Sequence, residues 1–215
     1  MRVPPDVAST ERSGQSGRLA SVNVARATPL LVGGRRMLSA IGKRPVAGRQ
    51  RVELLGIEGD EQADLSIHGG LSKAVYAYPS EHLPFWRTVR AQAGVSLWGD
   101  EEDVRAGALG ENLTLEGMLE QDAWIGDVLE FPDCTLAVSE PRTPCGKLGA
   151  AMGFAQALPL MVESGWCGFY LAVQRPGTLA AGQRFRVVPG PREVSIPELF
   201  RARVGRGRRL AGAVR

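Results

Sequence analysis

Short apolar runs, separated by turns rich in glycine and proline, follow one another along most of this chain. They occupy residues 19–26, 28–38, 51–57, 73–78, 122–131, 134–140, 168–174 and 183–189. Apolar runs of this length that are bounded by turn residues are typical of β-strands. Because these strands are closely spaced and few helical segments separate them, the sequence favours an antiparallel barrel or sandwich over alternating βαβ units. The predicted fold class is mainly β with a few helices.

Local patterns place one hairpin and two helical regions within this series of strands. The pair Gly33–Gly34 between two apolar runs predicts a β-hairpin. Residues 80–93 carry apolar positions at helical spacing behind Ser80, which we interpret as the helix N-cap. Residues 143–163 predict a second helix or a pair of short helices, interrupted near Pro159.

The charge of the chain is mild and unevenly distributed. Lys and Arg number 26 against 23 Asp and Glu, which gives a net charge of +3. This excess is too small to indicate a nucleic-acid partner, so we expect none. Residues 201–210 contain five arginines, and we interpret this segment as a solvated basic tail. No apolar run approaches the roughly 18 residues that a membrane span requires, so we expect no membrane association.

The ends of the chain and its cysteines bear on domains and location. Residues 1–17 lack the hydrophobic centre of a secretory signal, and we interpret them as a mobile polar leader. A break after Pro189-Gly190-Pro191 divides a barrel domain, residues 18–191, from the tail, residues 192–215. Three cysteines at wide spacing argue against a disulfide framework and against a Cys-rich zinc site. We therefore expect a cytoplasmic protein.

One cysteine lies between two basic residues in the segment 140–153. In our interpretation, Thr143 caps a helix and Pro144 is its first residue, so that Cys145 falls in the first helical turn. Together with Arg142 and Lys147, this position favours the thiolate form, which is a nucleophile or a soft metal ligand. The alternative is a structural cysteine beside two solvated cations.

A second group of candidate residues lies in the segment 55–82. Asp60 and Gln62 precede a turn formed by His68, Gly69 and Gly70, and Lys73 follows at the start of a strand. Backbone N–H groups exposed by the glycines, with a nearby lysine, form a plausible cradle for an oxyanion. The alternative is an ordinary turn between strands.

A third group lies in the segment 107–118. Glu111 and Asn112 place a carboxylate and an amide in a glycine-containing loop, where they can recognise polar edges of a ligand. A satisfied turn without a ligand is the alternative.

Taken together and in this order, the motifs resemble MOSC domains, and most closely the stand-alone bacterial YiiM-like branch of that family. The resemblance extends from about residue 18 to about residue 198. It rests on residues 55–64, 68–82, 107–114, 126–127 and 141–148, together with Trp86.

The resemblance implies a MOSC-type β-barrel that binds the molybdenum cofactor, molybdopterin with molybdenum, in a cleft. Cys145 would be the metal ligand, and with Glu111 and Asn112 it would form the catalytic set. The residues expected to bind the cofactor are His68, Gly69, Gly70, Lys73, Arg142, Lys147, Asp60 and Gln62.

The resemblance also implies an activity and partners. Members of this branch reduce N-hydroxylated bases and related N-hydroxylated compounds, such as 6-hydroxylaminopurine, to amines. Because the sequence has no flavin, haem or iron–sulfur motif, the electrons would come from an external reductase. A homodimer is a further expectation, and pyridoxal phosphate is not expected. Residues 192–215 would then be a truncated remnant of the helical segment that relatives carry at the C-terminus.

Three rival functions remain open at this point. Cys145 could carry a persulfide as a sulfur carrier for metal cofactors. It could act with His68 or His82 as a cysteine hydrolase. The arginines of residues 201–209 could bind nucleic acid without catalysis.

Overall fold

The computed structural model of the protein describes residues 14–63, 69–95 and 104–212. The strands, in chain order, are β1 (Ser16–Val24), β2 (Thr28–Val32), β3 (Arg35–Ser39), β4 (Arg44–Pro45), β5 (Gln50–Glu53), β6 (Gly56–Ile57), β7 (Val75–Pro79), β8 (Leu113–Glu116), β9 (Val128–Glu130), β10 (Thr135–Pro141), β11 (Phe169–Arg175), β12 (Gly177–Leu179) and β13 (Arg184–Val188). The helices are α1 (Leu83–Gln92), α2 (Lys147–Met152), α3 (Ala157–Ser164) and α4 (Ile196–Gly212).

Seven of these strands close into a barrel, which confirms the predicted fold class. Their order is β13-β9-β10-β11-β7-β8-β1, and β1 pairs with β13 to complete the ring. All neighbours in the ring are antiparallel except β7 and β8, which run parallel. Closure leaves no unpaired sheet edge around the ring.

The barrel interior is filled by the inward-facing side chains of the strands. In β13 buried and exposed residues alternate, as expected of a strand with one face on the core. Every residue of β7 is buried, and α1 contacts this strand. Trp86 of α1 is fully buried, and its Nε1 donates a hydrogen bond of 2.6 Å to the hydroxyl of Tyr78 on β7.

The predicted hairpin is confirmed. Strands β2 and β3 pair from Thr28 with Ser39 to Val32 with Arg35, and Gly33 and Gly34 form the two-residue turn between them. Both glycines have positive φ, 54° and 80°, as a type I′ turn requires. This ribbon is a separate two-stranded sheet beside the barrel.

Helix α1 is confirmed, but Ser80 does not cap it. Residues Ser80–His82 form a short 3₁₀ turn, and α1 begins only at Leu83. The residue before the helix is His82, whose side chain makes no capping bond. Pro84 lies in the first turn, where a missing N–H group costs no helical hydrogen bond.

The pair of short helices predicted in residues 143–163 is confirmed as α2 and α3, but the position of the break is wrong. Pro159 lies in the first turn of α3 and is tolerated there. The break is at Gly153, which ends α2 in the left-handed conformation with φ 77°.

Helix α4 begins with a capping box. The backbone N–H of Glu198 donates to Oγ of Ser195 (3.4 Å), and the backbone N–H of Ser195 donates to Oε2 of Glu198 (2.9 Å). Ile196 and Phe200 are buried against the barrel, so the start of the basic segment is a packed helix. Over the described ranges, no helix combines the length and the apolar character needed to cross a bilayer.

Candidate functional site

A cleft of about 90 Å³ opens at one end of the barrel. Its walls come from the loop after β3, the loop after β6, and the ends of strands β7, β10 and β11. Seven of the residues predicted from sequence line it, namely Asp60, Gln62, Lys73, Asn112, Arg142, Cys145 and Lys147. Residues far apart in sequence thus lie in one cleft, as the family resemblance implied.

Cys145 lines the cleft and is half-buried, whereas Cys134 and Cys167 are fully buried. Its predicted place in the first turn of a helix is wrong. Helix α2 begins at Lys147, and the carbonyl of Cys145 accepts a hydrogen bond from the N–H of Leu148 (2.9 Å). The chain stays extended past β10 because Arg142 still donates its N–H to the carbonyl of Gly168 (3.4 Å).

Arg142 supplies a buried positive charge to the cleft. Arg142 is 4% exposed, and its guanidinium carbon lies 5.3 Å from the centroid of the Tyr76 ring. Nη1 also contacts Sδ of Met161 at 3.7 Å. No carboxylate lies within salt-bridge distance of Arg142 in the described part of the chain. A buried cation without an acidic partner is the feature expected of an anion-binding site.

Two lysines add positive charge to the same cleft. Nζ of Lys147 donates to the carbonyl of Leu38 on the β2–β3 ribbon (3.0 Å). Lys73 ends a 3₁₀ turn, Leu71–Lys73, which follows Gly70. Gly70 has a positive φ of 84° and accepts the N–H of Lys73 through its carbonyl. Of the predicted glycine cradle, Gly69 and Gly70 do not line the cleft, and His68 lies outside the described residues.

Asp60 and Asn112 form one wall together with a residue that sequence reasoning missed, Lys43. Nζ of Lys43 forms an ion pair with Oδ1 of Asp60, and both side chains are almost fully buried. Nδ2 of Asn112 donates to Oδ2 of Asp60 (2.8 Å), and Oδ1 of Asn112 accepts the N–H of Tyr76 (3.1 Å). Burial lowers the pKa of Lys43, and the adjacent Asp60 opposes that shift.

Glu111 lies behind this wall and does not line the cleft. Its carboxylate accepts hydrogen bonds from the N–H groups of Gly107 (2.6 Å) and Leu109 (3.1 Å) and from the hydroxyl of Thr114 (3.1 Å). Burial raises the pKa of Glu111 to about 7, and these donors act in the opposite direction. The residue therefore holds the loop that carries Asn112. Its predicted catalytic role stays a prediction.

The remaining predicted residue, Gln62, fixes the loop on the other side of the cleft. Its Nε2 donates to the carbonyls of Leu55 (3.1 Å) and Ala74 (3.3 Å). Sequence reasoning missed Tyr76 and Tyr170, which also line the cleft. The centroids of their rings are 5.5 Å apart, and burial raises the pKa of both phenols. Each sits in an apolar strand run, where the sequence does not reveal which residues face a ligand.

His82 belongs to a different, buried cluster and does not line the cleft. Its Nε2 lies 2.8 Å from Oε2 of Glu120, and its ring stacks on Trp166 with centroids 4.5 Å apart. Oε1 of Glu120 accepts the N–H of Gly168 (2.7 Å). This geometry makes His82 a packed histidine, held away from Cys145 by Glu120 and Trp166.

The cleft therefore combines one thiol with several cations. Where residues are described, no group of three or more His, Cys, Asp or Glu side chains could hold a metal ion. Such a site suits an anionic ligand, and a metal at Cys145 would have to bring most of its own ligands.

Comparison with known proteins gives a consistent result. Residues 64–186 match the family model described as MOSC domain. Over 161 residues the chain is 34% identical to protein YiiM of Escherichia coli, which covers 74% of this chain and 68% of that protein. It is 33% identical over 183 residues to a protein named Reductase from Gibberella moniliformis, covering 85% of this chain and 31% of that protein. The crystal structure of YiiM from Geobacillus stearothermophilus superposes with a TM-score of 0.67 at 29% identity, covering 87% of this chain and 83% of that one.

Proposed function

Because the chain belongs to the MOSC domain family, we propose that it binds the molybdenum cofactor in this cleft and reduces N-hydroxylated bases or related compounds to amines. The observation that carries the proposal is the half-buried thiol of Cys145 in a cleft with the buried guanidinium of Arg142. The two electrons would come from a partner reductase.

The residues present fit the cofactor. Molybdopterin carries a phosphate and a dithiolene, so it is strongly anionic and brings two sulfur ligands to the metal. Arg142, Lys73 and Lys147 provide the positive charge that such a ligand requires. The thiolate of Cys145 would provide one soft ligand from the protein. When bound, the cofactor would supply the two-electron redox chemistry.

The surrounding side chains would control protons and orientation. Conversion of an N–OH group to an N–H group consumes two electrons and two protons and releases water. Because burial raises the pKa of Tyr170, its phenol stays protonated at neutral pH and can donate a hydrogen bond to a bound polar group. Lys43, held by Asp60, presents a second N–H donor to the same space.

The name of the fungal relative supports an oxidoreductase role. The matched segment makes up 31% of that protein, so the name supports an association between this domain and reductase chemistry. The substrate class and the dependence on molybdenum rest on the family resemblance and on the chemistry of the cleft.

The experiment that tests the proposal is a measurement of molybdenum content in protein purified from a host that makes the cofactor. We expect near-stoichiometric metal in the wild type and none in Cys145→Ala. Cys134→Ala and Cys167→Ala change thiols that are fully buried and do not line the cleft, and both should retain the metal. Loaded wild type should then reduce 6-hydroxylaminopurine with a surrogate electron donor, and Cys145→Ala should not.

Absence of metal from the wild type, under conditions that load a related protein, would contradict the proposal. Intact mass spectrometry of the same sample addresses the sulfur-carrier alternative. A mass increase of one sulfur atom on Cys145 in metal-free wild type would support a persulfide carrier instead.

A further inference from the structure

Arg203 of helix α4 contacts the end of strand β10. Its Nη1 donates to Oε2 of Glu140 at 2.6 Å and to the carbonyl of Pro141 at 3.5 Å. The side chain of Glu140 is 13% exposed and that of Arg203 is 37% exposed. Because the pair is partly shielded from water, it should hold its geometry better than a surface ion pair.

Glu140 connects this contact to the turn that carries Lys73. Its other carboxylate oxygen, Oε1, accepts a hydrogen bond from Oγ of Ser72 at 3.3 Å. The neighbouring Ser139 donates its hydroxyl to the carbonyl of Ser72. Lys73 is the next residue and lines the cleft, so the path from α4 to the cleft runs through one carboxylate.

Glu140 also lies at an irregularity in the barrel. The register between β10 and β11 shifts between Val138 and Glu140, which leaves Glu140 opposite the cleft residue Tyr170. Bulges of this kind turn the following side chains in a new direction and are frequent next to active sites. Two residues later the strand delivers Arg142 to the cleft. Glu140 is therefore close to three cleft residues: it bonds to the residue before Lys73, pairs with Tyr170 across the sheet, and precedes Arg142 by two positions.

Helix α4 has anchors other than Arg203. The helix is fixed at its start by the capping box of Ser195 and Glu198 and by the buried side chains of Ile196 and Phe200. Shortening Arg203 should thus remove the contact with Glu140 and leave the helix in place. The contact can be tested separately from the fold.

We propose that Arg203 is a positioning residue for the cleft, which acts through Glu140 to hold Arg142 and the turn of Lys73 in the geometry that receives an anion. Helix α4 then contributes to the geometry of the cleft through this side chain. This inference concerns the shape and charge of the cleft and does not depend on the reaction proposed above.

The test uses the reaction of the Cys145 thiolate with two aromatic disulfides, one doubly anionic and one neutral. Cys145 attacks either reagent, forms a mixed disulfide and releases the aromatic thiolate, which is followed by absorbance. The other two thiols are fully buried. The ratio of the two rate constants measures how well the cleft cations are placed for an anion, and the neutral reagent corrects for access to the thiol.

We expect Arg203→Ala to lower this ratio by roughly threefold to tenfold, as is typical for loss of coupling between linked positions. Arg203→Lys keeps a cation opposite Glu140 and should restore most of the ratio. Arg201→Ala is the matched control, since it removes the same charge from an exposed position of the same helix. Its ratio should equal that of the wild type.

Three results would overturn the proposal. The first is a wild-type ratio in Arg203→Ala. The second is an equal loss in Arg201→Ala, which would indicate a general effect of net charge. The third is equal slowing of both reagents together with a lower Tm, which would indicate that the contact only stabilises the fold.

Discussion

Asn112 and Asp60, 52 residues apart in the sequence, are joined by a hydrogen bond of 2.8 Å from Nδ2 to Oδ2. The same amide accepts the N–H of Tyr76 and donates to the carbonyl of Asn23. One side chain thus links a loop of the cleft to two strands of the barrel. These bonds fix the loop of Asp60, which forms one wall of the cleft, to the barrel.

Asn112→Asp should destabilise the protein by about 2–5 kcal/mol at neutral pH. The change keeps the size of the side chain but replaces a donor by a second carboxylate opposite Asp60, in a site that is almost closed to water. Because two close carboxylates can share one proton, part of the loss should be recovered on acidification. Urea unfolding at pH 7 and pH 5 measures both effects.

The control for Asn112→Asp is Gln92→Glu, which makes the same change of charge at an exposed position of α1. We expect a change of less than about 0.5 kcal/mol there. Equal effects of the two variants would show that the bond between Asn112 and Asp60 contributes little to stability.

Glu111 should make the stability of the protein depend on pH. Its pKa in the folded protein is raised to about 7 from the ordinary value of 4.5. Between these values the folded state holds a proton that the unfolded state releases. The stability contributed by the protonated group is therefore complete below about pH 4.5 and is lost as the pH rises to about 7, by on the order of 3 kcal/mol.

Glu111→Gln should remove this dependence, since the amide does not titrate. The measurement is the free energy of unfolding of wild type and variant from pH 4 to pH 8, and the difference between the two curves should slope only in the stated window. Glu163→Gln, at an exposed position on α3, is the control. A difference curve that is flat for Glu111→Gln would contradict the raised pKa.

Much of the site could be predicted because its residues occur in motifs. Cys145, Arg142 and Asn112 were found from local chemistry and from the order of the segments, and all three line the cleft. The Gly33–Gly34 turn could be predicted because few residues other than glycine readily adopt positive φ angles, and this turn needs two in succession.

The missed residues have no such local pattern. Lys43 looks like a solvated surface lysine, and only the barrel brings it to Asp60. The helix after Cys145 was placed too early because Thr143 and Pro144 are good helix starters, whereas the N–H of Arg142 is already engaged by Gly168 across the sheet. Tertiary pairing overrode local propensity in that segment.

Arg142→Met should separate anion binding from stability. Met fits beside Met161 and Tyr76, and replacement of a buried charge by an apolar residue is often neutral or stabilising. Affinity of the cleft for inorganic phosphate should fall about tenfold or more, because the buried donor is lost. Calorimetric titration measures binding, and thermal unfolding shows whether Tm is kept.

Two further variants support the interpretation of Arg142→Met. Arg142→Lys keeps the charge without the planar fork and should retain part of the affinity. Arg184→Met removes a charge from an exposed position on β13 and should leave phosphate binding unchanged. Equal affinity in wild type and Arg142→Met would mean that the buried guanidinium does not face the ligand.

Gly168 and Gly165 offer a matched pair for the support of Arg142. Both have positive φ, 65° and 73°. A Cβ at Gly165 would meet no atom within 4 Å, whereas at Gly168 it would lie 2.8 Å from Cε2 of Tyr76 and closer still to the carbonyl oxygen of Ala77. Alanine at either position costs the same left-handed strain, and only Gly168→Ala adds overpacking.

Gly168→Ala should therefore be less stable than Gly165→Ala by about 1–3 kcal/mol in urea unfolding. Because Gly168 accepts the N–H of Arg142 and donates its own N–H to Glu120, the same variant should also bind phosphate more weakly at temperatures where it is folded. Gly165→Ala should bind as the wild type does. Weaker binding in both variants would place the cause in helix α3, which Gly165 ends, and not in the strand contact that holds Arg142.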